Sequence, residues 1–386
     1  MLPGKFATKI SAHILKSLQL IVLDRPSFKI SDPVVAHGLL TVAKYLASSI
    51  SMASTIESKQ SVGELLKILI STVELNQSEA QLAFFSECRS MFLHFDKLQQ
   101  DLVNYVLALV IKSKDHTQSK NLKNVEHFKA CLAFAQITIP SFQDIVAQLK
   151  LFLSTAEVSL SLGLTVQYQE LIQTSMELVP SIPPFLENSL DEGQAISSSP
   201  FVLSTIKRFC NLLSLSCTHP EHGAFHLFDL LLDGLRELYN APKHQTFAVL
   251  HDAEMQDIKA DQFGVHVKRM MAVVSGLVTS IERNNDFENY SSLYSMEDIK
   301  KECTQKVNDI IQEILNNYDP YGRVSDEAAT VLLDIINVLI RFFEIGDLLV
   351  DFVRFISPIL ERSKVWNTHY GKNTLEKLQS IGVDVL

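Results

Sequence analysis

The chain has 386 residues, 47% of them hydrophobic and 20% charged, with a net charge of −10. That balance excludes a disordered chain, and the length exceeds the roughly 250–300 residues at which a single core stops growing. Two or three domains, or a repeat array, are implied. The negative charge is spread along the chain, and no basic cluster exceeds pieces such as Lys207-Arg208 and Lys268-Arg269. Nucleic acid and anionic lipid are therefore disfavoured as main partners.

Only 13 glycines and 12 prolines occur, below the usual combined share of roughly 12%. From Glu64 to Ile139 there is neither. Glycine and proline end or bend helices, so this stretch predicts helix after helix with short polar breaks. Helices are expected near 5–23, 33–54, 61–75, 78–95, 97–113, 121–139, 141–160, 164–179, 200–216, 222–240, 260–283, 296–316, 325–343, 346–365 and 371–381. Start signals support several of them. Asp32-Pro33 supplies a cap and a proline at the first helical position. Ser61 and Glu64 form a capping box, and Ser141…Asp144 and Ser295…Asp298 are looser versions. Ser325, followed by Asp326 and Glu327, puts acid into a first turn. No alternating strand pattern is flanked by turn signals, so no sheet is expected. Polar stretches at 112–120, 181–199 and 284–295 read as loops. The stretch 181–199, with Pro183-Pro184 and Ser197–Ser199, is the expected joint between a first half (1–180) and a C-terminal half (200–386).

The C-terminal half carries helices with one narrow polar stripe. In 325–343 the polar residues are Glu327, Thr330, Asp334, Asn337 and Arg341. In 346–365 they are Asp347, Asp351, Arg354, Ser357, Glu361 and Lys364. Such helices are buried around most of their circumference and need neighbours on two sides. The segment 296–316 shows a single apolar face, made by Ile299, Cys303, Val307, Ile310, Ile311, Ile314 and Leu315. Helix pairs of about 35–45 residues match a HEAT-type unit. The fold expected is thus all-α, a HEAT-like α-solenoid of stacked antiparallel helix pairs. Segment 5–23 is apolar over much of its surface (Phe6, Ile10, Ile14, Leu15, Leu18, Ile21, Val22), whereas a true first repeat has a polar outer face. The chain is therefore expected to be the C-terminal part of something longer.

Five cysteines form an odd set, and Cys88, Cys131 and Cys210 sit among apolar helical neighbours. They read as reduced, buried small hydrophobes of a cytosolic protein. The first 20 residues lack a secretory layout, and no uncharged apolar run reaches the roughly 18 residues needed to span a membrane. No phosphate-binding glycine loop, nucleophile elbow or His-Glu-x-x-His motif is present. The one ligand-like cluster is Cys217, His219, Glu221, His222 and His226. Zinc needs three or four ligands at tetrahedral reach, and Pro220 separates His219 from the helix. The cluster reads as a helix start, with no catalytic, metal or cofactor site expected. His251, Asp252 and Glu254 likewise read as a solvated helix end. Two aromatic loops remain, Tyr318/Tyr321/Arg323 and Trp366/Tyr370. Exposed Tyr, Trp and Arg on a rigid scaffold are typical anchors for protein partners, and these five are the candidate partner-binding residues. The alternative is that they cap the helix ends they touch.

The run from His222 to Leu235, the block from Arg323 to Ile336, and Phe352–Pro358 resemble the large α-solenoid scaffold subunit of the endosomal sorting complexes. The resemblance is closer to the Retriever version, associated with the Commander assembly, than to the retromer one. It implies a non-enzymatic, endosome-associated scaffold for cargo recycling, with a C-terminal solenoid cradling a small metallophosphoesterase-like subunit alongside other Retriever or Commander subunits. Neither nucleic acid nor direct membrane insertion is implied. The Pro-Arg-Leu-Tyr-Leu-Met-Tyr motif by which retromer members hold an arrestin-like subunit is absent here. The competing classes are another helical adaptor, such as a nuclear-transport or phosphatase scaffold, and a helical metalloprotein centred on 217–226.

Overall fold

The computed structural model describes residues 4–50, 55–115, 122–187, 195–215, 225–240, 252–284, 296–316, 329–340 (except 331, 335, 338 and 339) and 347–383. It divides into two compact units, Met1–Ser175 and Met176–Leu386.

The first unit is built from α1 (Gly4–Asp24), α2 (Pro33–Ser48), α3 (Ile56–Thr72), α4 (Ser78–Met91), α5 (Asp96–Asp115), α6 (Leu122–Thr138), α7 (Ile145–Ser161) and most of α8 (Thr165–Glu177). Contacts run from each helix to its neighbours one and two places along. Helix α1 meets α2 and α3, and α2 meets α3 and α4. Helices α3 and α4 meet α5, α4 and α5 meet α6, and α5 and α6 meet α7. This is the pattern of stacked antiparallel helix pairs in an α-solenoid, with no central core. The buried layer between the pairs is continuous, and Leu40, Leu66, Phe84, Leu102 and Leu132 are all fully enclosed.

The connections are closed by side chains where glycine is missing. Gln81 accepts from the Leu75 amide (2.7 Å) and donates to the Val73 carbonyl (3.1 Å). Gln99 donates to the carbonyls of Arg89 (3.1 Å) and Phe92 (2.9 Å). Gln148 donates to the Phe142 carbonyl (2.6 Å). Each is the fourth residue of its helix and reaches back over the turn before it. Backbone groups left over at helix ends are satisfied in this way without leaving the packed interior. Two lysines do similar work at C-termini: Lys114 donates to the last-turn carbonyl of Ser161 (2.8 Å) and Lys112 pairs with Glu74. The expected loop at 112–120 therefore starts late, because α5 continues through Asp115.

The Asp32-Pro33 signal holds: the Asp32 carboxylate accepts from the amides of Val34 (2.7 Å) and Val35 (3.3 Å). Ser61 is a correction. Helix α3 begins at Ile56, with Thr55 as its cap, accepting from the Ser58 amide. Residues 57–60 carry no helix breaker, so an extra turn forms and Ser61 lies inside the helix. Ser141 is a second correction. Pro140 sets a 3-10 turn over Ile139–Ser141, and Asp144 caps α7 through the Val146 amide (2.9 Å). A third concerns the joint, where β1 (Phe185–Glu187) pairs antiparallel with β2 (Ala195–Ser197) in the register Phe185↔Ser197. Three residues per strand are too few for an alternating pattern to show in a sequence. Finally, α1 from Phe6 to Asp24 is long and apolar enough to cross a membrane by length and composition alone. In the structure it packs on α2 and α3 and buries Leu15 and Leu18.

The second unit holds a 3-10 turn (Val179–Ser181), the ribbon, α9 (Ser199–Leu213), α10 (His226–Asn240), α11 (Asp252–Asn284), α12 (Met296–Asn316), α13 (the helical residues of 329–340), α14 (Asp347–Arg362), a 3-10 turn (Val365–Asn367) and α15 (His369–Ser380). Helix α11 starts earlier than the periodicity predicts, because its first two turns are mostly polar. Helices α9 and α11 approach closely at Gly276. A Cβ there would lie 2.5 Å from Cys210 Cβ and 2.8 Å from its Sγ. On α12 the apolar face is buried at Ile299, Cys303, Val307, Ile310, Ile311 and Ile314, as the spacing predicts. Its polar side binds α10. Arg236 makes two hydrogen bonds to Glu313 Oε2 (3.0 and 2.7 Å), and Lys306 Nζ contacts both Asp229 oxygens at 2.7 Å.

Three substitutions test this account. Gln99→Leu removes the side-chain donor from the Arg89 and Phe92 carbonyls, the latter keeping the Phe95 amide, and should cost about 1–3 kcal/mol, read as a lower thermal midpoint of the first unit. Gly276→Ala should cost about 1–3 kcal/mol by forcing α9 and α11 apart. Gly38→Ala, whose Cβ meets nothing within 4 Å, should instead stabilise α2 by up to about 1 kcal/mol.

Candidate partner-binding surface

The C-terminal corner is where the sequence-based candidates fall. Helix α14 is amphipathic, with Val353, Ile356 and Leu360 buried and Arg354 and Glu361 exposed. Ser357, expected on its polar stripe, is instead buried, its hydroxyl donating to the Val353 carbonyl (2.8 Å). The helix ends at Lys364, whose φ of 58° is left-handed and reverses the chain. A 3-10 turn over Val365–Asn367 follows and contacts both α14 and α15. Thr368 then caps α15. Its hydroxyl accepts from the Gly371 amide (3.0 Å) and donates to the Val365 carbonyl (2.6 Å). Gly371 is required here, since a Cβ would fall 2.3 Å from the Val365 carbonyl oxygen and 2.8 Å from Trp366 Cα.

Of the five candidates, Tyr318, Tyr321 and Arg323 lie outside the described residues. Trp366 is only 8% exposed, so its ring is part of the corner's packing and not a surface anchor. The 3-10 turn places it inward, under the first turn of α15. Tyr370 is 41% exposed, and its hydroxyl donates to Asp334 Oδ1 on α13 at 2.7 Å.

Further hydrogen bonds join the two helices among the described residues. Asn337 donates to Thr374 Oγ1 (2.7 Å), and Lys377 Nζ approaches Asn337 Oδ1 (3.4 Å). Tyr370, Thr374 and Lys377 are spaced four and three apart on α15, so they share one face against Asp334 and Asn337. Beside them lies an open polar groove of about 350 Å³, lined by Asn337, Tyr370, Asn373, Thr374, Glu376 and Lys377, with Ser380 at its end. The polar stripe of α13 is thus a seam for α15 as much as a face to water. The periodicity located the stripe, but only the matching spacing on α15 could have identified its partner.

Burial, and then the Asp334 carboxylate, push the Tyr370 phenol up to about 12. The thiols of Cys131 and Cys210 are pushed up to about 12 by burial, and that of Cys88 higher still. They are poor nucleophiles near neutral pH, as expected of buried packing residues. Among the described residues no group of three or more His, Cys, Asp or Glu side chains could hold a metal ion. Cys217, His219, Glu221, His222 and His251 lie outside the described residues, and His226 opens α10, partly buried.

Stacked helix pairs of this kind define a helical-repeat protein of the α-solenoid class. The chain belongs to the VPS35L C-terminal domain family, whose model matches residues 8–316. It is 25% identical over 358 residues to the VPS35 endosomal protein sorting factor-like protein of Dictyostelium discoideum, a match covering 89% of this chain and 34% of that one. The Mus musculus protein of that name is 29% identical over 208 residues (53% and 21%), and the Homo sapiens protein 28% over 208 residues (53% and 21%). The chain spans about a third or less of the length of these relatives. The resemblance to the large scaffold subunit of Retriever is borne out at the level of the family.

The Tyr370–Asp334 bond has a pH signature. The folded state holds the phenolic proton more tightly than the unfolded chain does, so its stabilisation is complete below about pH 10 and is lost as pH rises from 10 towards 12. Asp334→Asn should flatten that alkaline loss and speed amide exchange across 369–380, measured by hydrogen–deuterium exchange from pH 8 to 11.

Proposed function

We propose that the chain is a non-enzymatic scaffold of an endosomal protein-sorting complex, and that its C-terminal unit holds a small metallophosphoesterase-like subunit. Family membership across residues 8–316 carries this reading, together with relatives that bear the name endosomal protein-sorting factor-like. The fold supplies the physical rationale. Stacked helix pairs give a long surface of fixed geometry on which one rigid globular partner can rest. A partner of that kind gains most from anchors whose side chains are held before it arrives, since less entropy is then lost on binding. Tyr370 is such a side chain. It is exposed yet pinned through its hydroxyl to Asp334, beside a groove of amide and ammonium groups. Tyr318, Tyr321 and Arg323 are proposed as further anchors. In this reading the remaining partners are Retriever or Commander subunits, and the protein works at the endosomal surface as a peripheral component without entering the bilayer.

Co-expression of the 386-residue chain with the metallophosphoesterase-like subunit, followed by size exclusion with light scattering, tests the proposal. A one-to-one complex is expected, and Tyr370→Ala should weaken it by about tenfold, the scale of one interfacial aromatic anchor. No complex, or co-purification of the chain with a nuclear-transport or phosphatase assembly instead, rejects the reading.

A further inference from the structure

One edge of the first unit is tied together by lysines. In a stack of antiparallel pairs α1, α3, α5 and α7 run in the same direction, so their C-terminal ends line one edge. Each end carries about half a negative charge from its aligned peptide dipoles, and such ends side by side repel. Lysines join them in order. Lys29, in the turn after α1, donates to the Ser71 carbonyl in the last turn of α3 (2.9 Å). Lys112, in the last turn of α5, pairs with Glu74, two residues past the end of α3. Lys114, in the same last turn, donates to the carbonyl of Ser161, the final residue of α7 (2.8 Å). Each link runs from one member of the row to the next and skips the helix between. Lys67 and Asp101 (3.0 Å) add a link between α3 and α5 further back from the ends.

The amides that could serve these carbonyls locally are engaged elsewhere. The Leu75 amide, one turn beyond Ser71, bonds Gln81. The Gly163 and Leu164 amides, just beyond Ser161, bond the Leu160 and Ser159 carbonyls. Both helix ends therefore take a donor from another helix. Beside Lys29, the Ile30 amide donates to the Thr72 carbonyl (3.0 Å) and the Glu74 amide donates to the Ile30 carbonyl (2.9 Å), so the turn after α1 clasps the end of α3. The hydrogen bond from Lys112 holds the Glu74 carboxyl below its ordinary value. Lys29, Lys112 and Lys114 are all exposed, so dissolved ions compete for them and weaken the links. The even helices are joined differently. His37 meets Glu87 (3.0 Å) between α2 and α4, Arg89 approaches the Ile137 carbonyl (3.4 Å) between α4 and α6, and Gln136 approaches Glu170 (3.4 Å) between α6 and α8. Ammonium charge thus holds the odd row, and an imidazole, one long guanidinium contact and an amide hold the even one.

We propose that the Lys29/Lys112/Lys114 row is a charge-dependent latch on the first unit. While the ammonium groups are engaged, the ends of α1, α3, α5 and α7 keep a fixed spacing. When that charge is screened or removed, the edge opens locally while the apolar layer behind it stays packed. Ionic strength therefore controls how readily this edge yields. The latch lies in the first unit, so it stands or falls separately from the partner proposed for the C-terminal corner.

The test is hydrogen–deuterium exchange of the 386-residue chain at about 0.05 M and about 0.5 M sodium chloride, on either side of strong screening. The amides of Ile30, Glu74, Gly163 and Leu164 should exchange about two- to fivefold faster at the higher salt, the scale of exposed charged links. Those of Leu66 and Leu102, in the apolar layer, should not change. Lys29→Met/Lys114→Met keeps the apolar stems and removes the charge, so it should show the fast rates already at low salt and lose the salt response. Lys29→Arg/Lys114→Arg keeps charge and donors and should behave as the parent chain does. Should the Met variant fold poorly, Glu74→Gln alone breaks the middle link at an exposed pair and should quicken exchange at Ile30. Rates at these amides that ignore both salt and the substitutions overturn the proposal. So does an acceleration shared equally by Leu66 and Leu102, which marks a loss of overall stability, or an Arg variant that behaves like the Met variant.

Discussion

The structure depends on how a helical chain turns corners without glycine or proline. Between Thr72 and Ser78, and again between Met91 and Asp96, the backbone leaves one helix and enters the next with polar groups that water cannot reach. A glutamine four residues into the following helix satisfies them. The amide suits this task because it offers a donor and an acceptor on one short arm. Gln81 uses both at once, on a carbonyl and an amide two residues apart. Placing the amide at the fourth position puts it one turn in, where a side chain leans back towards the N-terminus and over the preceding loop. Each turn is thus locked by the helix that follows it, which fixes the angle between neighbours before the apolar layer packs.

The second unit solves the same problem with different means. One close helix contact relies on removing a side chain: Gly276 lets α11 sit against Cys210 of α9. Helices α10 and α12 are joined by long charged side chains, Arg236 from α10 and Lys306 from α12. The Glu313 hydrogen bonds raise the Arg236 pKa further above its ordinary value. At the C-terminal corner a left-handed lysine, a threonine cap and a glycine together turn the chain from α14 into α15 within the eight residues Lys364 to Gly371.

How far the sequence foretells this structure varies with the physics involved. Periodicity locates α12 to the residue and identifies every described member of its buried face, because the apolar spacing of a one-faced helix is unambiguous. The Asp32-Pro33 start is equally legible, since cap and proline act locally. Ser61 misleads because a capping box is only a local preference, and Thr55 offers another cap with no breaker between them. Trp366 misleads for a different reason. A tryptophan between two helices looks exposed until the 3-10 turn and Gly371 show that the chain folds under itself there. The role of Asp334 is also hidden, because it depends on α15 presenting Tyr370, Thr374 and Lys377 in matching register some 36 to 43 residues later.

The polar stripes therefore make two kinds of seam in one chain, and the length of the side chains distinguishes them. On α12 the stripe reaches α10 through flexible ammonium and guanidinium arms, which tolerate small displacements of the helices. Between α13 and α15 a phenol meets a carboxylate and an amide meets a hydroxyl, shorter groups that hold only one spacing, with the Lys377 ammonium reaching Asn337 beside them. The long charged arms tolerate slightly different helix angles, and the short groups fix the spacing of α13 and α15. Tyr370 belongs to the second kind. Its ring stays at the surface because its hydroxyl is engaged at the seam, so the interaction that closes the corner is also the one that presents its aromatic face.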